Sequence, residues 1–132
     1  MTVVLDASAL LAYLNDEPGA ERVETILPTG AAISAANWAE VLSKTADVGL
    51  EPARLVSGLA DSGLLGGALR IEPLLRQDAE RMAELRPLTR KLGLSLGDRA
   101  CLALAIRLGS PAYTTDRSWT RLDLPVPIEI LR

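Results

Sequence analysis

Short apolar runs alternate along this chain with longer stretches of helical period. Thr2-Val3-Val4-Leu5 is apolar or β-branched throughout and stops at Asp6, as a buried strand would. Ser8–Leu14 then predicts a helix, broken by Asn15-Asp16-Glu17-Pro18-Gly19. Ala20–Leu27 predicts a second, with Val23, Ile26 and Leu27 on one face. Pro28-Thr29-Gly30 turns the chain into a short strand, Ala31–Ser34.

Ala36–Val48 predicts a helix stopped by Gly49, its apolar face carrying Trp38, Val41, Leu42 and Val48. Pro52 suits the start of the next helix, which runs to about Gly63. Polar and apolar residues alternate from Ala68 to Leu74, the period of a strand. Asp78–Leu92 is helical in period through Met82, Leu85, Leu88 and Leu92, and Pro87 is expected to kink or split it. Leu94–Gly97 leads into a helix over Asp98–Leu108, apolar on nearly all sides and therefore expected to be buried. Gly109-Ser110-Pro111 ends that helix; Ala112–Thr115 then reads as a strand delivering Asp116, and Val126–Leu131 as the last strand.

Strands alternating with helices predict an α/β fold: a short, mainly parallel sheet of four or five strands flanked by helices. The 132 residues suit one domain spanning 1–132. Ligands of such sheets bind at the carboxyl ends of the strands.

Composition narrows the chemistry. The chain is 48% hydrophobic and 23% charged, which argues against disorder. Its longest apolar run, Ala100–Ile106, is far short of the roughly 18 residues of a membrane span. Met1-Thr2 carries no basic side chain and Asp6 interrupts the first apolar run, so no secretory signal is expected and the expected compartment is the cytoplasm. There is no His and a single Cys, Cys101. That excludes an internal disulfide, a Cys/His zinc site, a histidine general base and any Ser–His or Cys–His nucleophile pair. Any metal must take oxygen ligands, which points to Mg²⁺, Mn²⁺ or Ca²⁺.

The net charge of −3 is unevenly spread. Residues 1–69 hold three basic and nine acidic side chains; residues 70–132 hold eleven basic and eight acidic. An isoelectric point near 5.0 argues against non-specific nucleic-acid binding, yet leaves room for a local basic rim.

Four acids stand out. Asp6 ends the first strand and Asp116 a late one, while Asp98 opens the buried helix and Glu40 lies early in another. On a parallel sheet all four would face the same edge. Each has an ordinary explanation as well: Asp6 as a helix cap, Asp98 as a helix-dipole partner, Asp116 as a turn residue and Glu40 as a surface acid. The four gain force jointly. Two carboxylates about 4 Å apart repel by roughly 4 kcal/mol at an effective dielectric of 20, and a divalent cation relieves this. Metal-assisted phosphodiester hydrolysis follows from such a cluster.

The quoted segments resemble a known family. Val3-Val4-Leu5-Asp6-Ala7-Ser8-Ala9-Leu10 resembles the opening of PIN-domain proteins. Asn37-Trp38-Ala39-Glu40-Val41-Leu42 is similar to their second acidic motif, and Leu94-Ser95-Leu96-Gly97-Asp98-Arg99-Ala100-Cys101-Leu102-Ala103-Leu104-Ala105 to their third. Thr114-Thr115-Asp116-Arg117-Ser118-Trp119 resembles the fourth. Members of this length are usually VapC-type toxins of toxin–antitoxin pairs. The resemblance implies a three-layer PIN-like fold and an Mg²⁺- or Mn²⁺-dependent endoribonuclease. It implies Asp6 and Asp98 as the main metal ligands, Glu40 and Asp116 completing the catalytic pocket, and Ser8 and Thr114 orienting a ligand or water. Its partners would be RNA and a cognate antitoxin that fills the groove, often with a basic side chain in the acidic pocket; a homodimer is a candidate assembly. Some members carry a further acid after the fourth motif, for which Asp123 is the nearest residue here.

Arg86, Arg90, Lys91 and Arg99 lead into the third motif, and Arg90 and Arg99 are the candidates for holding the RNA backbone. Aspartyl-phosphate phosphatases would need a second acid where Ser8 stands. A signalling receiver domain would need paired acids near the first strand and a Lys after a late one. The non-enzymatic alternative is a binding module whose acidic pocket docks a basic partner.

Overall fold

The computed structural model describes residues 2–132. Five short strands form one parallel sheet: β1 (Val3–Leu5), β2 (Ala31–Ser34), β3 (Leu69–Glu72), β4 (Ala112–Thr114) and β5 (Ile128–Ile130), in the order β3-β2-β1-β4-β5. The helices are α1 (Ala7–Leu14), α2 (Ala20–Ile26), α3 (Ala35–Asp47), α4 (Pro52–Asp61), α5 (Arg76–Thr89) and α6 (Leu96–Leu108). Tight 3₁₀ turns occupy Leu27–Thr29, Arg90–Leu92 and Arg117–Arg121. The α/β architecture with helices on both faces of a parallel sheet is as expected.

The central strand β1 is apolar throughout and β2 nearly so, because both sheet faces are covered there, whereas the edge strands β3 and β5 carry Arg70, Glu72 and Glu129. Along β1, Val3 and Leu5 join one core with α1 and α2, while Val4 points to the other with α6. Ala31 and Ile33 of β2 repeat the first assignment and Ala32 the second. Leu102 and Leu104 of α6 and Trp119 of the last 3₁₀ turn fill the second core. Residues 100–105 of α6 are all buried, so between Arg99 and Arg107 this helix is apolar on nearly all sides, as expected. No helix among the described residues is long and apolar enough to cross a membrane.

Three expectations change. Pro87 does not split its helix: α5 starts at Arg76, runs two residues past Pro87 and tightens into the 3₁₀ turn only at Arg90. Leu88 is exposed on it, because Met82 and Leu85 make the buried contact. Val48, expected on the apolar face of α3, is 73% exposed; it lies just beyond the helix, where no element packs over it.

The α5–α6 layer is held by an ion pair the sequence does not announce. Arg107 Nε donates to Asp78 Oδ1 at 2.9 Å, its Nη2 reaches the Pro73 carbonyl at 3.2 Å, and Leu75 N–H donates to Asp78 Oδ2 at 2.9 Å. The Asp78 side chain is 3% exposed and that of Arg107 18%. Asp78→Ala leaves the guanidinium without its anion, and thermal or urea unfolding is expected to show a loss of about 3 kcal/mol.

Candidate active site

The strand order reverses at β1, since β2 and β3 lie to one side of it and β4 and β5 to the other. A crevice at the carboxyl ends of β1 and β4 follows from this topology, and it is where a doubly wound sheet holds its ligand. Asp6 leaves β1 and Asp116 follows β4 at that crevice.

Asp6 is the buried anchor, 4% exposed. It caps α1: Oδ1 accepts from the Ala9 N–H at 2.8 Å and from Ser8 Oγ–H at 2.7 Å. Oδ2 accepts from Thr114 Oγ1–H at 2.5 Å. The two hydroxyls pass the contact on, because Ser8 Oγ accepts from the Thr115 N–H at 3.0 Å and Thr114 Oγ1 from the Asp116 N–H at 3.1 Å. Ser8 and Thr114 thus bind Asp6 to the chain segment that carries Asp116. Asp116 in turn caps the last 3₁₀ turn, its Oδ1 accepting from the Ser118 N–H and Oγ–H.

Asp98 forms a reciprocal cap at the start of α6: its Oδ2 accepts from the Ser95 N–H at 2.8 Å, and its own N–H donates to Ser95 Oγ at 3.1 Å. Glu40 comes from the second turn of α3, and the preceding turn places Asn37 Nδ2 against the Gly97 carbonyl at 2.9 Å, which ties α3 to the first turn of α6.

The four carboxylates line one cavity of about 650 Å³ together with Ser8, Lys44 and Arg132. Among the described residues none of the four has an ion-pair partner. The electrostatics record that lack. Burial raises the Asp6 carboxyl from its ordinary 3.8 to about 6, against the pull of its hydrogen bonds and helped by the Asp98 charge. Burial also raises Glu40, with Asp98 adding and Asn37 and Lys44 opposing. Cys101 lies fully buried beneath the acids, and burial followed by their charges pushes its thiol well up, which removes it as a nucleophile.

The donor set fits a hard divalent cation. It is all oxygen, it is net negative, and one oxygen each of Asp98 and Asp116 accepts no hydrogen bond among the described residues. No three acidic side chains among the described residues stand close enough to chelate one ion unaided. Mg²⁺ needs no such cage, because it binds through one or two carboxylates and keeps several waters.

The basic rim differs from expectation. Arg99 follows Asp98 by one residue, which on a helix is about 100° of rotation, and its Nη1 donates to the Met82 carbonyl of α5 at 2.9 Å. Arg90 is exposed in the turn after α5, and neither arginine lines the cavity. Asp123 does not line it either. The cations that do are Lys44, one turn after Glu40 on α3, and Arg132, whose Nη1 is steadied by the Pro18 carbonyl at 3.1 Å and Glu17 Oε1 at 3.4 Å. The i, i+4 spacing from Glu40 would have found Lys44; no local signal would have found Arg132. Beyond Lys44 the cavity continues past Leu11, Asn15 and Leu50 into an apolar groove between α1 and α4 that reaches Leu55.

Comparison with known proteins agrees with this fold. Residues 3–124 match the family model described as PIN domain. FitAcB from Neisseria gonorrhoeae is a similar solved structure: 25% identity, 99% of this chain and 98% of that chain covered, TM-score 0.72. VapBC2 from Rickettsia felis, solved bound to a DNA fragment from its promoter, is 18% identical, with 98% of each chain covered and a TM-score of 0.74. VapC20 from Mycobacterium tuberculosis, described as a sarcin-ricin loop cleaving toxin, is 17% identical over 92% of this chain and 96% of that one, TM-score 0.68. A search of curated proteins finds no match.

Proposed function

The chain belongs to the PIN-domain family, and from that premise we propose that it is a divalent-metal-dependent endoribonuclease, the VapC-type toxin of a toxin–antitoxin pair. The observation that carries this reading is the meeting of Asp6, Glu40, Asp98 and Asp116 in one cavity with no ion-pair partner among the described residues. Asp6 and Asp98 would hold the ion, with Glu40 and Asp116 completing its surroundings directly or through water. Once bound, the ion would supply Lewis-acid polarisation of the phosphodiester and ease deprotonation of water. The residues do the rest. Ser8 and Thr114 lock the Asp6 carboxylate in one orientation, so little reorganisation is needed when charge arrives. Lys44 offers the RNA backbone a cation within the acidic cavity, a sequence-independent contact. With no histidine in the chain, no imidazole takes part in proton transfer.

The apolar groove leading from the cavity suits an extended antitoxin segment that lays apolar side chains between α1 and α4 and a basic one against the acids. The test is an RNA cleavage assay with the free protein and with Asp98→Asn. Wild type is expected to cut RNA with Mg²⁺ or Mn²⁺; the variant is expected to lose turnover by about a hundredfold while still binding RNA, since it loses a metal ligand and no phosphate anchor. RNA left intact by wild type under every metal condition, with a basic peptide still binding in the cavity, would establish the docking-module alternative.

A further inference from the structure

Glycine inside the first turn of a helix needs a reason, because alanine there is favoured by up to about 1 kcal/mol. Gly97 is the second residue of α6, and its φ is not positive, so the backbone does not demand glycine. The space around it does. A Cβ built on Gly97 would overlap Glu40 Oε1 and stand 2.8 Å from the Glu40 carboxyl carbon. Asn37, 1% exposed and one turn before Glu40, donates Nδ2 to the Gly97 carbonyl at 2.9 Å, so the same residue meets α3 twice. The Asn37 side chain also lies close enough to the Glu40 carboxyl to oppose its rise on burial. Gly58 is the contrasting case: it is also helical, in α4, but nothing lies within 4 Å of its added Cβ.

We propose that Gly97 is a positioning residue of the acid site. The absence of its side chain lets Glu40 lay its carboxylate on the first turn of α6, next to Asp98, with Asn37 fixing the approach. The obstructed group is the free end of a flexible side chain. A methyl at position 97 therefore turns the Glu40 carboxylate aside and leaves the packing of α3 on α6 in place. Its functional consequence rests on the metal-site reading above; the geometry does not.

The experiment compares Gly97→Ala, Glu40→Asp, the double variant and the control Gly58→Ala. Gly97→Ala is expected to melt at or above the wild-type temperature yet to bind Mn²⁺ about tenfold more weakly by calorimetry, the usual cost of disturbing a site's supporting contacts. Glu40→Asp alone is expected to weaken binding similarly, because the shortened acid no longer reaches its place. The double variant is expected to be no weaker than the worse single one, since the retracted carboxylate no longer meets the added methyl. Additive losses, or unchanged Mn²⁺ affinity in Gly97→Ala, would overturn the proposal. Without metal, the Asn37 side-chain amide signals are expected to move in the NMR spectrum of Gly97→Ala and stay put in Gly58→Ala; unmoved signals overturn the proposal on their own. Wild type that binds no Mn²⁺ would remove the metal reading and leave that spectrum as the deciding test. Should Gly97→Ala not fold, Glu40→Ala/Gly97→Ala is expected to fold, and its failure would show that the clash lies elsewhere.

Discussion

Asp6→Asn is expected to abolish metal-dependent cleavage and, in the same protein without metal, to raise stability above pH 6. The activity loss, about a hundredfold or more, follows from removing an anionic ligand at the centre of the site. The stability gain follows from burial. In the folded chain the Asp6 carboxyl titrates at about 6 in place of its ordinary 3.8. Below pH 4 or so it is protonated in the folded and unfolded chains alike. Between about 4 and 6 the unfolded chain gives up the proton that the folded chain keeps, so wild-type stability falls as pH rises, and above 6 the loss is complete. Titration at about 6 in place of 3.8 corresponds to about 3 kcal/mol. Asparagine keeps an acceptor for the Ala9 N–H and the Ser8 hydroxyl, and Thr114 can turn its hydroxyl to accept. The difference between variant and wild type should therefore grow from pH 4 to 6 and then level off in chelator-treated denaturant melts. A variant less stable than wild type at pH 8 would mean that the three hydrogen bonds outweigh the buried charge.

Chelation is expected to abolish RNA cleavage without unfolding the protein. Both cores are built from apolar side chains of the sheet and helices; Ala7 and Leu11 of the first core also line the acidic cavity, but none of the four acids belongs to either core. Excess EDTA should therefore leave the circular dichroism spectrum unchanged while activity disappears. Mg²⁺ or Mn²⁺ should restore activity and raise the melting temperature, by the equivalent of about 2.7 kcal/mol at a hundred times the dissociation constant. Zn²⁺ should not be needed, since the all-oxygen set lacks its preferred nitrogen and sulfur ligands. Cleavage persisting undiminished in excess chelator would refute the metal reading.

Each aspartate of the candidate site has a local capping role besides its place in the cavity, which is why none could be singled out by itself. Asp6 caps α1, Asp98 completes the cap of α6 and Asp116 caps the last 3₁₀ turn, as the ordinary explanations for these residues have it. A cap at the amino end of a helix that follows a parallel strand already faces the sheet's carboxyl edge, so the cap and the site coincide in space. Glu40 has no such cap; it reaches the site because Gly97 leaves room for it. The basic residues were harder to read. Arg99 neighbours Asp98 in sequence yet is turned onto α5, whereas Lys44 shares a face with Glu40 from four residues away.

Contiguous residues determined the local structure. Apolar runs such as Val3–Leu5 and Ala31–Ser34 encode strands covered on both sides, glycines and prolines mark the breaks, and the lack of histidine confines the chemistry to oxygen ligands. Tertiary structure decided what lies beside what. The order β3-β2-β1-β4-β5 puts β1 next to β4, more than a hundred residues away in sequence, and so brings Asp6 to Asp116. The rotational phase of α3 and α6 decides that Glu40, Lys44 and Asp98 enter the cavity while Arg99 leaves it. Strand pairing and helix phase depend on which faces find partners, and that is a property of the packed chain as a whole.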